Sequence, residues 1–235
     1  MSSVIPRSVL ADQVRQHLLA GILDGRFAPQ SRIVETQVAR ELGTSQAPVR
    51  EALRALEAIG IVELLPFRGA RVRRPTRREI LEAYDVRSAL ETRAARLGVA
   101  QLDDAALADL ERLWEAMQSA ARKGDGQAVA EADSRFHARI VASGDNHTLE
   151  RTWRSLEPYS RTYLSLFVPG ADPTWSANIH TPILEAIRRR DVDATVASLE
   201  DHFREVQANM AGRWTEPESL PGAPRATNGA EAVAR

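Results

Sequence analysis

Cysteine is absent from the 235-residue chain, and so is any long apolar run. The lack of cysteine excludes disulfide scaffolds, thiolate metal sites and cysteine nucleophiles, and it agrees with a reducing cytosol. No apolar stretch reaches the roughly 18 to 20 residues that cross a bilayer. The first seven residues lack the basic start and apolar stretch of a signal peptide. We therefore expect a soluble, cytoplasmic protein.

Net charge is also nearly absent, because 31 Lys and Arg face 32 Asp and Glu. The charges are unevenly distributed. Residues 1–74 hold 11 arginines and 7 acidic residues, a net charge of +4, whereas the 20 basic and 25 acidic residues beyond them give −5. A basic head on an acidic body indicates that only the head meets a polyanion. A solvated arginine-rich face is the alternative explanation.

The apolar pattern of residues 1–74 predicts three helices followed by a two-stranded ribbon. Gly43 ends the second helix, where a residue without Cβ adopts the left-handed cap conformation. Pro48 falls in the first turn of the third helix, where a missing N–H costs nothing. The predicted helices cover 9–23, 35–42 and 45–59, and the predicted strands cover 61–65 and 70–73. This is a winged helix-turn-helix pattern.

The third helix has polar side chains near its N-terminus. The major groove of DNA admits one α-helix, and side chains near the start of that helix reach base edges and phosphates. Arg50 and Arg54 are four residues apart and share one face, while arginines of the ribbon can lie along phosphates. A small helical subdomain with a solvated hairpin is the alternative. The predicted contacts to double-stranded DNA are Ser45, Gln46, Arg50, Arg54, Arg68 and Gly69.

The stretch from Leu42 to Leu53, with Gly60-Ile61-Val62 and Arg68-Gly69-Ala70-Arg71-Val72, resembles the winged helix-turn-helix of GntR-type bacterial transcription regulators. The resemblance spans almost the whole head. It implies that Arg50, within Pro-Val-Arg-Glu-Ala-Leu, contacts DNA. Many members carry Arg-Thr where this chain has Gln46-Ala47, which predicts a different operator because Gln favours adenine and Arg favours guanine.

Residues 75–214 are predicted to form an all-α antiparallel bundle, so the chain as a whole is mainly α. Thr76-Arg77-Arg78-Glu79 has the form of a capping box and follows a short Arg74-Pro75 link. No later segment alternates with period two, and the links between helices are short. The tail, 215–235, has little to bury and is expected to be disordered. The predicted helices cover 79–100, 104–122, 127–143, 147–168, 173–190 and 193–211.

Three of the five histidines have partners that suit a metal site. Asp133 and His137 are four residues apart on one predicted helix, His180 is on the fifth helix of the body, and His202 is on the sixth. One carboxylate oxygen and three neutral imidazoles suit a divalent zinc, nickel or manganese ion and leave a coordination position open. Spacing alone is weak evidence, because a single histidine on a helix is more often a surface or core residue.

The body resembles the FCD ligand-binding domain found in the FadR branch of the same family, over residues 77–210. The similarity lies in Asp85-Val86-Arg87-Ser88-Ala89-Leu90-Glu91, Asp133-Ser134-Arg135-Phe136-His137 and the stretch from His180 to Ile187. In metal-binding members an Asp and three His hold the ion. The resemblance implies these roles for Asp133, His137, His180 and His202. Pro182 lacks a backbone donor and predicts a kink just after His180.

Arg87 resembles the arginine that faces the effector cavity in these regulators. Its rigid fork suits a carboxylate, and an open metal position would bind the same acid, so the implied effector is a small organic acid. A surface ion pair between Arg87 and Glu91 is the alternative. Helical phase does not fix the orientation of the further pocket candidates, which are Tyr84, Arg135, Arg139, Tyr159, Arg161 and Tyr163.

Together these features predict a metal-containing transcription regulator, a repressor that acts as a homodimer on a palindromic operator. Effector binding would change the spacing of the two recognition helices through the Arg74-Pro75 link. A metal-dependent hydrolase is one rival, but the sequence offers no well-placed additional general base and an enzyme gives no reason for the basic head. A non-specific architectural DNA binder is the second rival.

Overall fold

The computed structural model describes residues 7–66, 68–156 and 172–213. Within these residues the chain is mainly helical, with one small antiparallel sheet, and the predicted fold class is confirmed. None of the helices in this part of the chain is long and apolar enough to pass through a bilayer. The tail predicted over 215–235 lies outside the described residues.

The head contains three helices and a three-stranded sheet. Its apolar side chains close over a core that includes Leu18, Ile22, Leu53 and Leu56, each fully buried. The helices are α1 (Arg7–Leu23), α2 (Glu35–Glu41) and α3 (Gln46–Ala58), and the strands are β1 (Arg32–Ile33), β2 (Val62–Leu65) and β3 (Gly69–Val72).

The turn between α2 and α3 depends on Gly43. Its φ of 63° lies in the left-handed region, and the following Thr44 N–H bonds to the carbonyl of Ala39 at 2.9 Å. Ser45 is the extended N-cap residue of α3, and Pro48 lies in the first turn. The chain therefore makes the predicted helix-turn-helix.

The predicted two-stranded ribbon is instead part of a three-stranded sheet with the order β1-β3-β2. Strand β1 has only two residues, and Ile33 pairs with Ala70 in antiparallel register. A two-residue strand leaves no alternating pattern in the sequence, so its pairing with β3 was missed.

The body begins at α4, whose N-cap forms the predicted capping box. Thr76 Oγ1 accepts from the backbone N–H of Glu79, and the Glu79 carboxylate accepts in return from the backbone N–H of Thr76. The helices are α4 (Arg77–Gly98), α5 (Asp104–Arg122), α6 (Gly126–Ser143), α7 (described over 147–156), α8 (Pro173–Asn178), α9 (Thr181–Arg188) and α10 (Val192–Arg213), with a 3₁₀ turn at Val99–Gln101.

The helix predicted over 173–190 is two helices, not one. Pro182 lies in the first turn of α9, and His180 is the N-cap residue before it. A proline inside a continuous helix would lose a backbone hydrogen bond and clash with the preceding turn, so the helix breaks at Ile179 and His180. His180 is therefore at a helix junction, and the expected kink is a complete break.

Two hydrophobic clusters position the functional elements. The core of the head continues through Ile80 and Tyr84 of α4 to Phe203 of α10, so head and body share one cluster. A second cluster inside the body surrounds Phe136 of α6 and Leu199 of α10. Because α4, α6 and α10 all contribute to these buried surfaces, their inward side chains converge.

Candidate nucleic-acid interface and metal centre

The N-terminal end of α3 and the tip of the β2–β3 hairpin border one solvent-filled groove. Gln46, Arg50 and Arg54 line it from α3, and Arg68 and Gly69 line it from the hairpin. Ser45 precedes Gln46 and is exposed, and so are the side chains of Gln46, Arg50, Arg54 and Arg68. Five of the six predicted DNA contacts thus line this groove, and Ser45 precedes the first of them in the chain.

Arg50 is held by a carboxylate that the sequence analysis did not single out. Its Nε and Nη2 donate to Glu35 Oε2 at 3.1 and 2.9 Å. Glu35 is the first residue of α2, on the other side of the Gly43 turn. This ion pair orients the guanidinium of Arg50 before any DNA is bound.

Arg32 is a second residue of this groove that was missed. Its Nε donates to the backbone carbonyl of Arg68 at 2.6 Å, and its side chain lines the same groove. The only signal was its place in β1, a strand too short to predict. With Arg32, four arginines face the groove, which strengthens its positive potential toward phosphates.

Gly69 is required by the close approach of the hairpin to β1. Its φ is 84°, and a Cβ on this residue would lie 2.3 Å from the carbonyl oxygen of Ile33. A side chain would therefore strain the backbone and push the hairpin off β1. The glycine sets the position of the neighbouring Arg68.

In the body, three buried histidines meet from three different elements. His137 comes from α6, His180 from the junction of α8 and α9, and His202 from α10. One potential ligand atom from each lies within 4.8 Å of the other two. The structure therefore brings together side chains that are up to 65 positions apart in the sequence.

Asp133 completes this group from the same helix as His137. Its Oδ1 is 2.8 Å from Nε2 of His180 and 3.7 Å from Nε2 of His137. The two histidine Nε2 atoms are 3.2 Å apart. All four predicted metal ligands are thus neighbours.

Hydrogen bonds on the outer side fix the ring orientation of two histidines. His180 Nδ1 is 2.8 Å from the carbonyl oxygen of Ser176, which only accepts, so Nδ1 carries the proton. His137 Nδ1 is 2.5 Å from Glu91 Oε2. Both rings therefore turn Nε2 toward Asp133, so these two nitrogens and the carboxylate oxygen Oδ1 face one another.

This arrangement fits a divalent cation. Oδ1 of Asp133 and the Nε2 atoms of His137 and His180 direct their lone pairs at one place, so they repel one another unless a positive charge lies between them. One carboxylate oxygen together with imidazole nitrogens suits zinc, nickel or manganese. His202 Nδ1 is buried and has no hydrogen-bond partner among the described residues. A buried nitrogen without a partner is costly, which is consistent with a ligand that is bound to the site in solution.

The charges around the cluster shift the pKa values of its members. Burial by itself would raise the pKa of Asp133, but the adjacent His180 and the two other imidazoles bring it well below its usual range. Burial would lower the pKa of His137, yet Glu91 and Asp133 raise it. Burial and the two other histidines lower the pKa of His202. A lower pKa favours the neutral form of His202, which is the form of imidazole that binds a metal ion.

Arg87 lies beneath the cluster rather than on the surface. Its guanidinium forms the ion pair with Glu91 that was the alternative to an effector role, at 3.0 Å, but both side chains are buried. The ring centroids of Tyr84, Trp153 and Phe203 lie 5.5 to 5.6 Å from Cζ of Arg87. Nε1 of Trp153 also donates to Oε1 of Glu91 at 2.6 Å, a contact that no motif in the sequence indicated.

A cavity of about 70 Å³ opens beside the histidines. Its walls include Arg87, Asp133, His137 and His202. This volume holds only a few water-sized groups. Of the further pocket candidates, Tyr84 also lines the cavity, whereas Arg135 and Arg139 line a different groove beside Asp109. Tyr159, Arg161 and Tyr163 lie outside the described residues.

Comparison with protein families gives two matches along the chain. Residues 10–72 match the family described as bacterial regulatory proteins, gntR family. Residues 82–205 match the FCD domain. The two matches cover the head and the body, respectively.

Two curated relatives align with most of the chain. A probable D-xylose utilization operon transcriptional repressor of Paenarthrobacter nicotinovorans is 33% identical over 201 residues, which are 86% of this chain and 88% of the relative. The gluconate operon transcriptional repressor of Bacillus subtilis (strain 168) is 26% identical over 221 residues, which are 90% and 87% of the two chains.

Solved structures share the same fold. The E. coli protein McbR/YncC superposes with a TM-score of 0.75 at 23% identity, over 86% of this chain and 97% of the other. A GntR-type regulator structure from Rhodococcus sp. RHA1 also gives a TM-score of 0.75, at 22% identity, over 87% and 99% of the two chains. Head and body thus occur together in known proteins.

Proposed function

The chain belongs to the GntR family of bacterial transcription regulators and carries an FCD domain, and from this membership we propose that it is an effector-controlled repressor. Its affinity for an operator is controlled by a small organic acid bound at a divalent metal ion in the body. We assign DNA binding to residues 1–74 and effector binding with dimerisation to 75–214. The observation that carries this proposal is the convergence of Asp133 with three histidines below the basic head.

The DNA-binding half of the proposal uses α3 as the recognition helix. Arg50 and Gln46 face the groove from the start of this helix, where side chains reach base edges. Arg68 and Arg32 lie beside them and would contact phosphates, which fix the register without reading sequence. The assignment as a repressor follows the names of the two operon repressors to which the chain is similar.

The active species in this proposal is a homodimer. One recognition helix covers only a short half-site, whereas two helices related by a twofold axis match a palindromic operator about one helical turn apart. A duplex with one half-site scrambled should therefore bind far more weakly than the intact palindrome.

The effector half of the proposal assigns Asp133, His137, His180 and His202 to the metal. A zinc, nickel or manganese ion held there would supply a Lewis-acidic position that accepts a carboxylate. Arg87 contributes positive charge to the cavity wall, and the small cavity volume favours a small acid. Tyr84 and Phe203 line other parts of the cavity wall.

Coupling between body and head is proposed to pass through the start of α4. Arg73, the residue after β3, donates to Glu79 at 2.7 Å, which links the end of the head to the capping box of α4. The shared cluster of Ile80, Tyr84 and Phe203 joins the same helix to the cavity wall. An acid that binds two arrangements of these helices with different affinity would change the spacing of the recognition helices.

A binding titration tests this function. Fluorescence anisotropy measures the affinity of the Zn²⁺-loaded protein for a duplex from its own promoter region and for a scrambled duplex. Each affinity is measured without an acid and with each member of a panel of short carboxylic acids. We expect about 10³-fold or greater preference for the promoter duplex, and one class of acid should change that affinity by about 5- to 150-fold. Equal affinity for both duplexes would favour the non-specific architectural binder. A saturating acid that leaves operator affinity unchanged would refute the coupling.

The rival assignment as a metal-dependent hydrolase is not retained. Family membership and relatives along most of the chain identify a transcription regulator, not an enzyme. The histidine cluster is therefore interpreted as a sensing site and not as a catalytic one.

A further inference from the structure

Glu91 of α4 is a carboxylate with no exposed surface, at the centre of a hydrogen-bonded group from three helices. Its Oε1 accepts from Nη2 of Arg87 at 3.0 Å and from Nε1 of Trp153 at 2.6 Å. Its other oxygen, Oε2, accepts from His137 Nδ1 at 2.5 Å. Burying a carboxylate is costly unless it is paired and hydrogen-bonded, so each of these contacts stabilises its charge.

The two oxygens of Glu91 have different partners. Arg87 and Trp153 hold Oε1 and thereby fix the carboxylate in place. Oε2 is left to contact His137 on the neighbouring helix α6. Arg87 lies one turn before Glu91 on the same helix and balances its charge.

The contact with Glu91 determines which nitrogen of His137 faces the cluster. When Nδ1 donates to a carboxylate, the proton is on Nδ1 and the lone pair is on Nε2. Nε2 is the atom 3.2 Å from His180 and 3.7 Å from Asp133. Carboxylates behind a ligating histidine orient the ring and increase its basicity.

We propose that Glu91 is a positioning residue of the metal centre, which holds His137 with Nε2 directed at the ion. The proposal rests on the metal site proposed above. Arg87 supports the same role through Glu91, which gives this buried arginine a purpose besides contact with an acid. A purely structural role, in which Glu91 only neutralises Arg87, is the competing explanation.

Zn²⁺ affinity separates the two explanations. Competition with a chromophoric chelator measures Zn²⁺ binding by the full chain and by Glu91→Gln, which keeps the side-chain shape but removes the charge. We expect the variant to bind Zn²⁺ about 10- to 100-fold more weakly. A double variant, Glu91→Gln with Arg87→Met, removes both charges. It therefore leaves no unpaired buried arginine that could destabilise the fold. It should show the same loss, whereas a role limited to neutralising Arg87 predicts affinity equal to the wild type.

A mild core variant and a spectroscopic measurement complete the test. Ile22→Val alters the buried core of the head and should leave Zn²⁺ affinity unchanged, which separates a loss of stability from a loss of positioning.

Imidazole ¹⁵N shifts should place the His137 proton on Nδ1 in wild-type protein and show a mixture of tautomers in Glu91→Gln. Wild-type protein that takes up Zn²⁺ while both Glu91 variants bind it equally well overturns this inference alone. Wild-type protein that takes up no Zn²⁺ overturns the metal site and this inference together.

Discussion

At the scale of single residues, the two proposed sites each contain an arginine that is paired with a carboxylate. Arg50 is on the surface and paired with Glu35, so it is oriented and still accessible to DNA. Arg87 is buried and paired with Glu91, so it is oriented within the body. In both places a neighbouring carboxylate orients the guanidinium, on the surface for Arg50 and in the buried interior for Arg87.

Replacement of Arg50 tests the proposed base contact. Arg50→Ala should weaken binding to the promoter duplex by about 1 to 3 kcal/mol, because a bidentate contact to a base edge is lost. Fluorescence anisotropy at fixed salt measures the change. Arg122→Ala, an exposed arginine of α5 in the body, is the matched control and should bind as the wild type does. Equal affinity for Arg50→Ala would remove this residue from the interface.

At the scale of secondary-structure elements, the site depends on how closely α4 approaches α6. Gly98 ends α4, and a Cβ there would lie 1.9 Å from the carbonyl oxygen of Ser143 at the end of α6. Gly144 also lies close to α4, since its Cβ would be 3.0 Å from Cα of Ala94. These two contacts set the distance between the helices that carry Glu91 and His137.

Gly98→Ala tests this crossing. The added methyl must separate the helices, so the variant should be destabilised by about 1 to 3 kcal/mol in urea unfolding. Its φ of −119° is acceptable to alanine, so the expected loss is steric and does not come from the backbone. Gly212→Ala, near the end of α10 with open space around it, should be neutral or stabilise by up to about 1 kcal/mol. The same stability for both variants would contradict the argument.

The capping box of α4 predicts a pH dependence. Burial alone would raise the pKa of Glu79, but hydrogen bonds from Thr76 and Arg73 bring it below the ordinary glutamate value. Because the folded pKa is the lower one, its stabilising effect is full above the unfolded pKa of about 4.3 and disappears as the pH falls through the folded value.

Glu79→Gln should therefore be less stable than the wild type at pH 7, and the difference should shrink toward about pH 3. Urea unfolding of both proteins at a series of pH values measures it. Glu82→Gln is the control, since Glu82 is exposed and pairs with the highly exposed Arg78. Such a pair contributes little, so its variant should show no comparable pH trend. A Glu79 difference that stays constant with pH would exclude this role.

At the scale of the whole molecule, the head and body are connected by both chain and core. The cluster that includes Leu18 and Leu53 of the head also includes Phe203 of α10. Phe203 packs against His202, with ring centroids 5.2 Å apart. The histidine cluster is therefore connected by continuous packing to α3, the proposed recognition helix.

Removal of the metal should lower the stability of the whole protein. Metal that binds only the native state at about 100 times its Kd adds about 2.7 kcal/mol, so a chelator should lower Tm by roughly 5 to 11 °C. Differential scanning calorimetry measures the shift. The double variant His180→Ala with His202→Ala should melt at the same temperature with and without chelator. A wild-type melting curve that does not respond to chelator would argue against the ion.

The sequence by itself determined the local features. Helical periodicity, Gly43, Pro48 and the Thr76–Glu79 capping box each act within a few residues, so their outcome could be predicted without knowing the rest of the chain. Family resemblance then implied the four metal ligands, because motifs around Asp133 and His180 remain recognisable. The GntR and FCD assignment was confirmed by the comparisons.

Only the tertiary structure decided the contacts between distant segments. The pairing of Glu91 with His137 across 46 positions and the Trp153 hydrogen bond leave no periodic signal in the sequence. The pairing of Ile33 with Ala70 was missed for the same reason. Such contacts depend on how helices and strands pack, and packing is fixed by the shape of the whole buried core and not by any one segment.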